Sequence, residues 1–175
     1  MVEYLLPPDP GTDVVLVEYD ERWPAAYARH EERIRAALGP AALEVHHAGS
    51  TSVPGLAAKP VIDVVLLVAD AADESTYAGQ LQEAGYLFSV REPEWYEHRL
   101  FKERSPRVNL HVFGTGCDEA TRMLAFRDHL RRDEADRELY ERTKRELAGR
   151  RWDRVQDYAD AKSDVVADIL GRALR

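Results

Sequence analysis

The sequence predicts an α+β (mixed α/β) fold, a mixed β-sheet flanked by helices and followed by a helical C-terminal third. Three observations carry this. Short β-branched runs alternate with amphipathic stretches over residues 13–116; one run, 60–69, is apolar almost throughout; from Asp118 onward every periodic segment is helical. Residues 1–12 hold three prolines and a glycine and read as an extended arm. Residues 13–19, DVVLVEY, read as an edge strand. Asp20 then suits an N-cap, and a helix runs to about Leu38, where Gly39-Pro40 breaks it. Residues 43–48 form a short strand that enters the loop GSTSVPGLAAK, and 60–69 form a central strand covered on both faces. A helix over 73–84 ends at Gly85. Beyond YLFSV, residues 97–104 and 107–114 pair as an antiparallel hairpin turning at Ser105-Pro106. Helices follow over 119–132, 134–148 and 153–173. Length fits a single domain spanning 1–175, in which 13–116 is the sheet-containing core and 118–175 a helical extension packed on it.

Composition narrows the function classes. Hydrophobic residues at 45% are enough to bury a core. No apolar run reaches the roughly 20 residues of a membrane span, and the N-terminus lacks a signal pattern. The lone Cys117 has no partner for an internal disulfide, so a cytoplasmic location is expected. The net charge of −8, from 24 basic and 32 acidic residues, argues against bulk binding to nucleic acid or to an anionic membrane. A local basic pocket is compatible with it, and oligomeric state is left open.

One stretch concentrates chemistry: His47 to Val64, HAGSTSVPGLAAKPVIDV. Gly49 and Gly55 allow a close backbone approach, and the hydroxyls of Ser50, Thr51 and Ser52 with loop amides suit phosphate oxygens. Lys59 follows, and then Asp63 interrupts an apolar strand. A carboxylate there is costly unless paired, hydrogen-bonded or bound to a cation, so a dry environment is expected around it. Loop and carboxylate together point to a phosphate-and-cation site.

The HxGSTSVPGLxxKPxIDV segment at 47–64, NLHVF at 109–113, AFRDHLR at 125–131 and YADAK at 158–162 resemble the GrpB family, also labelled UPF0157. The resemblance implies a nucleotidyltransferase-like fold. In that wider pattern a Gly-Ser pair is followed by Asp-x-Asp/Glu and a later third carboxylate, which hold two metals against a nucleotide triphosphate. Gly49, Ser50 and Asp63 match; the second acid is replaced by Val65, and the later strand offers Asn109 and His111. The two-metal site is therefore incomplete in this sequence.

Other side chains are candidates by position. Asp63 and His111 on neighbouring strands would share a cation or a proton, with His47 as a third ligand. Such a mixed nitrogen and oxygen set suits a transition metal better than magnesium. Arg127 and Lys162 fall inside apolar helical stripes, where a cation either snorkels outward or meets an anion inside. Arg99 and Arg107 face phosphate or form surface ion pairs; Trp95-Tyr96 suits a pocket rim, and Trp152 suits the core.

The resulting expectation is a small nucleotidyltransferase-like protein that binds a nucleotide or phosphorylated metabolite, with nucleotidyl or phosphoryl transfer as its reaction class. Gly49, Ser50, Thr51, Ser52, Lys59, Arg127 and Lys162 would hold phosphate, and Asp63 and His111 would be catalytic. A divalent metal, magnesium or a transition metal, would sit on Asp63, His111 and His47. Two rivals stay open: a non-catalytic nucleotide-binding regulatory module, and a single-metal Asp/His hydrolase.

Overall fold

The computed structural model describes residues 1–8, 14–105 and 107–175. Six strands form one mixed sheet: β1 (Glu3–Tyr4), β2 (Glu44–Ala48), β3 (Ile62–Val68), β4 (Leu87–Glu92), β5 (His98–Arg104) and β6 (Arg107–Gly114), in the spatial order β1-β4-β5-β6-β3-β2. Only β3 and β6 run parallel; every other neighbouring pair is antiparallel. The expected 97–104 and 107–114 hairpin is present as β5 and β6, although Pro106 itself lies outside the described residues.

The register sorts the side chains of β3. Ile62, Val64, Leu66 and Val68 enter a large apolar cluster with Trp23, Ile34 and Leu38 of α1 (Trp23–Leu38) and Leu81 of α2 (Ala78–Glu83). Asp63, Val65 and Leu67 point to the other face. There Val65 and Leu67 pack with Phe113 and with Ala120 and Met123 of α3 (Asp118–Arg132). The near-continuous apolar run of β3 thus serves two cores at once. A third cluster joins Val53 and Leu56 of the 49–61 loop to Leu130, to Tyr140 of α4 (Glu134–Ala148) and to Ile169 of α6 (Ser163–Ala173).

Three expectations need correction. Residues 14–19 are not a sheet strand; residue 13 lies outside the described residues. Val17 makes a single antiparallel bridge with Ala58, while Val14 and Leu16 pack with Leu147 and Tyr158. The apolar alternation there serves contact with the helical third, and Glu3–Tyr4 takes the edge instead. The 73–84 helix shortens to Ala78–Glu83 behind a 3₁₀ turn at Glu74–Thr76. The last helix is two, α5 (Val155–Asp160) and α6, broken at Ala161-Lys162. No glycine or proline marks that break, so the periodicity reads straight through it. Asp20 does serve the start of α1, but from three residues before it, by accepting from the Arg22 backbone N–H at 2.9 Å.

Candidate functional site

The open space of interest is a cavity of about 720 Å³ between the Asp63 face of the sheet, the 49–61 loop and helices α3 to α6. Its floor is set by the strand register. Asp63 on β3 pairs with Asn109 on β6, and His111 stands two residues further along the same face. Asp63 Oδ1 accepts from Asn109 Nδ2 at 3.2 Å and lies 3.3 Å from His111 Nε2. Its side chain is 25% exposed, so the dry environment expected for this carboxylate is not what the fold builds: the cavity wets it.

The loop meets this carboxylate directly. Gly49 has φ +68°, and a Cβ there would lie 2.4 Å from Asp63 Oδ2. Only glycine combines that backbone with that approach. Of the three hydroxyls expected to hold phosphate, two are spent on the loop itself. Thr51 Oγ1 donates to Val61 O at 3.2 Å and contacts His47 Nε2, and Ser52 Oγ donates to Gly49 O. Both residues are buried. Ser50 alone turns to the helical side, where it accepts from Lys144 Nζ at 3.0 Å and is hydrogen-bonded with Tyr140.

The opposite wall is cationic and aromatic. Lys162 Nζ lies 4.5 Å from the centre of the Tyr158 ring and Lys59 Nζ 5.3 Å from it, while Lys144 Nζ sits 4.9 Å from the Tyr140 ring. Lys144 is 2% exposed and also donates to Ala57 O. Burial, with neighbouring Lys162 next, lowers its pKa to about 7. Burial lowers Lys162 to about 8, against a smaller upward pull from Asp63. Burial raises the Tyr140 phenol to about 12. Tyr158 is fully buried, and its hydroxyl is without a hydrogen-bond partner, the one such side-chain atom among the described residues. Around the cavity stand Lys59, Lys102, Arg107, Arg127, Lys144, Arg154 and Lys162 against two carboxylates, Asp63 and Glu92. This concentration exists in a chain of net charge −8.

Several expected residues go elsewhere. His47 faces the α1 side of the sheet, stacked on Tyr27 with centroids 4.7 Å apart, because its neighbour across the pairing is Val64 rather than Asp63. Burial lowers its pKa to about 4. It cannot join Asp63 and His111 around one ion. Arg127 lines the cavity while donating to His47 O at 2.9 Å and to Asp128. Arg99 is buried and paired with Glu74 and Glu97, a structural role. Trp152 donates to Leu147 O and packs on Tyr158. Trp95 and Tyr96 are part-exposed, with Trp95 set edge-on to His98 and Phe113.

Lys144 and Tyr140 are cavity-lining residues missed from the sequence. Their signal was available: Asp136, Tyr140, Lys144 and Leu147 are the buried stripe of α4, so a lysine sits at helical spacing inside it.

The metal pair implied by the nucleotidyltransferase pattern does not fit this donor set. Val65, where the second acid belongs, is wholly buried among Ala48, Leu67 and Phe113. Asp63 is the one carboxylate on this stretch of β3 and β6, and its Oδ1 is already engaged. A His/Asp group that could hold a metal does exist elsewhere: His129, Asp133 and Asp136 have ligand atoms within 4.8 Å of one another. There Asp136 is taken by Arg172, at 2.8 and 2.5 Å, and by His129 at 2.7 Å. Asp133 caps α4 by accepting from the Asp136 N–H at 2.9 Å.

Fold and site together define a mixed α/β protein with a cationic cavity at the junction of its sheet and a C-terminal helical layer. A family model described as GrpB protein matches residues 13–172. The chain belongs to the GrpB family. It is 54% identical over 163 residues to a UPF0157 protein of Halalkalibacterium halodurans, covering 93% of this chain and 84% of that one. The solved structure of conserved protein GrpB from Enterococcus faecalis matches with a TM-score of 0.80 at 27% identity, covering 91% of this chain and 97% of the other. A dephospho-CoA kinase of Mycolicibacterium paratuberculosis is 31% identical over 186 residues, which cover 91% of this chain and 46% of that protein. No helix among the described residues is long and apolar enough to cross a membrane.

Proposed function

We propose that the cavity binds a nucleotide or another phosphorylated metabolite, with its phosphates against Lys59, Lys144, Lys162 and the Tyr158 hydroxyl. The observation that carries this reading is the pair of desolvated lysines, Lys144 and Lys162, the second of them over the ring of a buried tyrosine whose hydroxyl lacks a partner. Like charges brought together out of water are costly, and an unsatisfied buried donor is costly as well. A single anion relieves both. The organic part of the ligand has an apolar wall to meet, from Met123, Phe126, Leu130 and Val166, which favours an organophosphate over inorganic phosphate. Arg107, Arg127 and Lys102 extend the positive field along the cavity and suit more than one phosphate group. Gly49 and Ser50 complete the site by shaping its edge. Transfer of the phosphoryl or nucleotidyl group is compatible with this seat but lacks the metal-binding acids that usually drive it.

Calorimetric titration with UTP, ATP and pyrophosphate tests the reading, with Tyr158→Phe as the diagnostic variant. Because the hydroxyl has no partner in the protein, its removal leaves thermal stability within about 1 kcal/mol of the parent. A hydrogen bond to a charged group contributes about 1.5–3 kcal/mol, so affinity falls tenfold or more. Failure of all three anions to bind the parent protein would sink the proposal.

A further inference from the structure

Four side chains outside the lysine wall form a continuous chain across the cavity face of the sheet, one from each of four adjacent strands. Glu92 Oε2 on β4 lies 2.6 Å from His98 Nδ1 on β5. His98 Nε2 lies 3.1 Å from His111 Nδ1 on β6, and His111 Nε2 lies 3.3 Å from Asp63 Oδ1 on β3. His98 is the buried centre of this row. Its ring is 4.8 Å from Phe113 and 5.1 Å from an edge-on Trp95. The turn delivering it is unusual: Tyr96 and Glu97 both have positive φ, 54° and 51°, a conformation non-glycine residues adopt only when their surroundings enforce it. Arg99, bonded to Glu97 O at 2.8 Å and to Glu74 at 2.6 Å, supplies that enforcement.

The protons in this row can be counted. Three contacts each call for one N–H; with both rings neutral, the two imidazoles supply two. Glu92 can only accept, so His98 places its proton on Nδ1. His98 Nε2 is then an acceptor and takes the proton of His111 Nδ1. This leaves His111 Nε2 as a bare lone pair facing a carboxylate oxygen at 3.3 Å, two acceptors with no donor between them. Burial, the first cause, lowers the pKa of His98, with Glu92 opposing it, in keeping with a neutral ring at that position.

We propose that Glu92 and His98 are positioning residues that hold His111 in the tautomer with Nε2 free, so that His111 and Asp63 together receive a hydroxyl group of the bound organophosphate. A hydroxyl placed against both atoms donates one proton where two lone pairs otherwise repel. The inference rests on the organophosphate reading of the cavity and narrows it to hydroxyl-bearing ligands, a nucleotide ribose or a sugar phosphate. The phosphate lies at Lys144 and Lys162 and the hydroxyl at β3 and β6. The row also stands where the metal-binding acids are missing, so hydrogen bonding occupies the place that metal coordination would take.

Histidine-¹⁵N-labelled protein without ligand, examined by two-bond ¹H–¹⁵N correlation at pH 7.5, decides the tautomer. The expected result is one neutral form of His111, protonated at Nδ1. In His98→Phe, which keeps a ring between Trp95 and Phe113, that single form gives way to a mixture; Glu92→Ala does the same through a freed His98. An Nε2-protonated or doubly protonated His111 in the parent overturns the proposal, as does an unchanged tautomer in a folded variant. Titration then compares UTP with pyrophosphate. His98→Phe weakens UTP about tenfold and leaves pyrophosphate unchanged. Equal loss for both, or binding of pyrophosphate without UTP, overturns the hydroxyl assignment. Binding of neither anion refutes the organophosphate reading while the tautomer experiment still judges the row.

Discussion

Lys144→Met separates a lysine kept for binding from one kept for structure. Burial lowers the Lys144 pKa from 10.5 to about 7. Between those values the unfolded chain binds a proton that the folded protein does not, so stability climbs with pH across that window. At pH 7 the mismatch costs the folded state about 4 kcal/mol, and at pH 9 about 2 kcal/mol. Methionine keeps a stem of similar length and removes the amine. It leaves Ser50 Oγ and Ala57 O without the donor they now share, at about 1 kcal/mol each. The net expectation is a variant about 2 kcal/mol more stable than the parent at pH 7, with the difference vanishing near pH 9. Urea unfolding at pH 7, 8 and 9 measures it directly. The same variant should bind pyrophosphate at least tenfold more weakly. A variant less stable than the parent at pH 7, or a difference that ignores pH, would refute the argument that burial of this amine is a cost carried for the sake of an anion.

Gly49→Ala forces an L side chain into φ +68° and sets its Cβ 2.4 Å from Asp63 Oδ2. The backbone alone, with ψ at −175°, costs about 1–3 kcal/mol and the contact adds to that, so a clear drop in melting temperature is expected; an unchanged melt would mean that loop and carboxylate are not in contact. Asp136→Asn breaks the bonds to Arg172 and His129, and a loss of about 2 kcal/mol is expected at neutral pH. Arg172 holds the Asp136 carboxyl below the usual carboxylate range, so the stabilisation is full above about pH 4 and is lost as pH falls through the folded value. With the carboxylate engaged, adding zinc leaves the melting temperature of the parent unchanged; a rise would make His129, Asp133 and Asp136 a metal site first and a structural knot second.

What the sequence determined by itself was whatever depends on near neighbours along the chain. Period and breakers located β2, β3, the β5–β6 hairpin and the helices α1, α3 and α4, because hydrophobic spacing and turn chemistry act within a few residues. The Gly49-Ser50 and Asp63 pairing of loop and strand was legible for the same reason, and so were the odd cations Arg127 and Lys162 within apolar stripes. Tertiary structure decided what lies across the sheet and between the layers. Register alone sends His47 to the α1 side while Asp63 and His111 share the other face, since a shift of one residue reverses every side chain. Residues 14–19 carry a strand-like pattern, yet the helical third and not the sheet receives Val14 and Leu16. The helical spacing that puts Lys144 in the buried stripe of α4 was legible, but the cover over its amine was not, because Ser50 and Ala57 of the 49–61 loop lie far from it in sequence. The row from Glu92 to Asp63 was invisible for the deepest reason. Its members come from four strands whose order in space is not their order in the chain, and only the pairing of β3 with β6 brings His111 to Asp63.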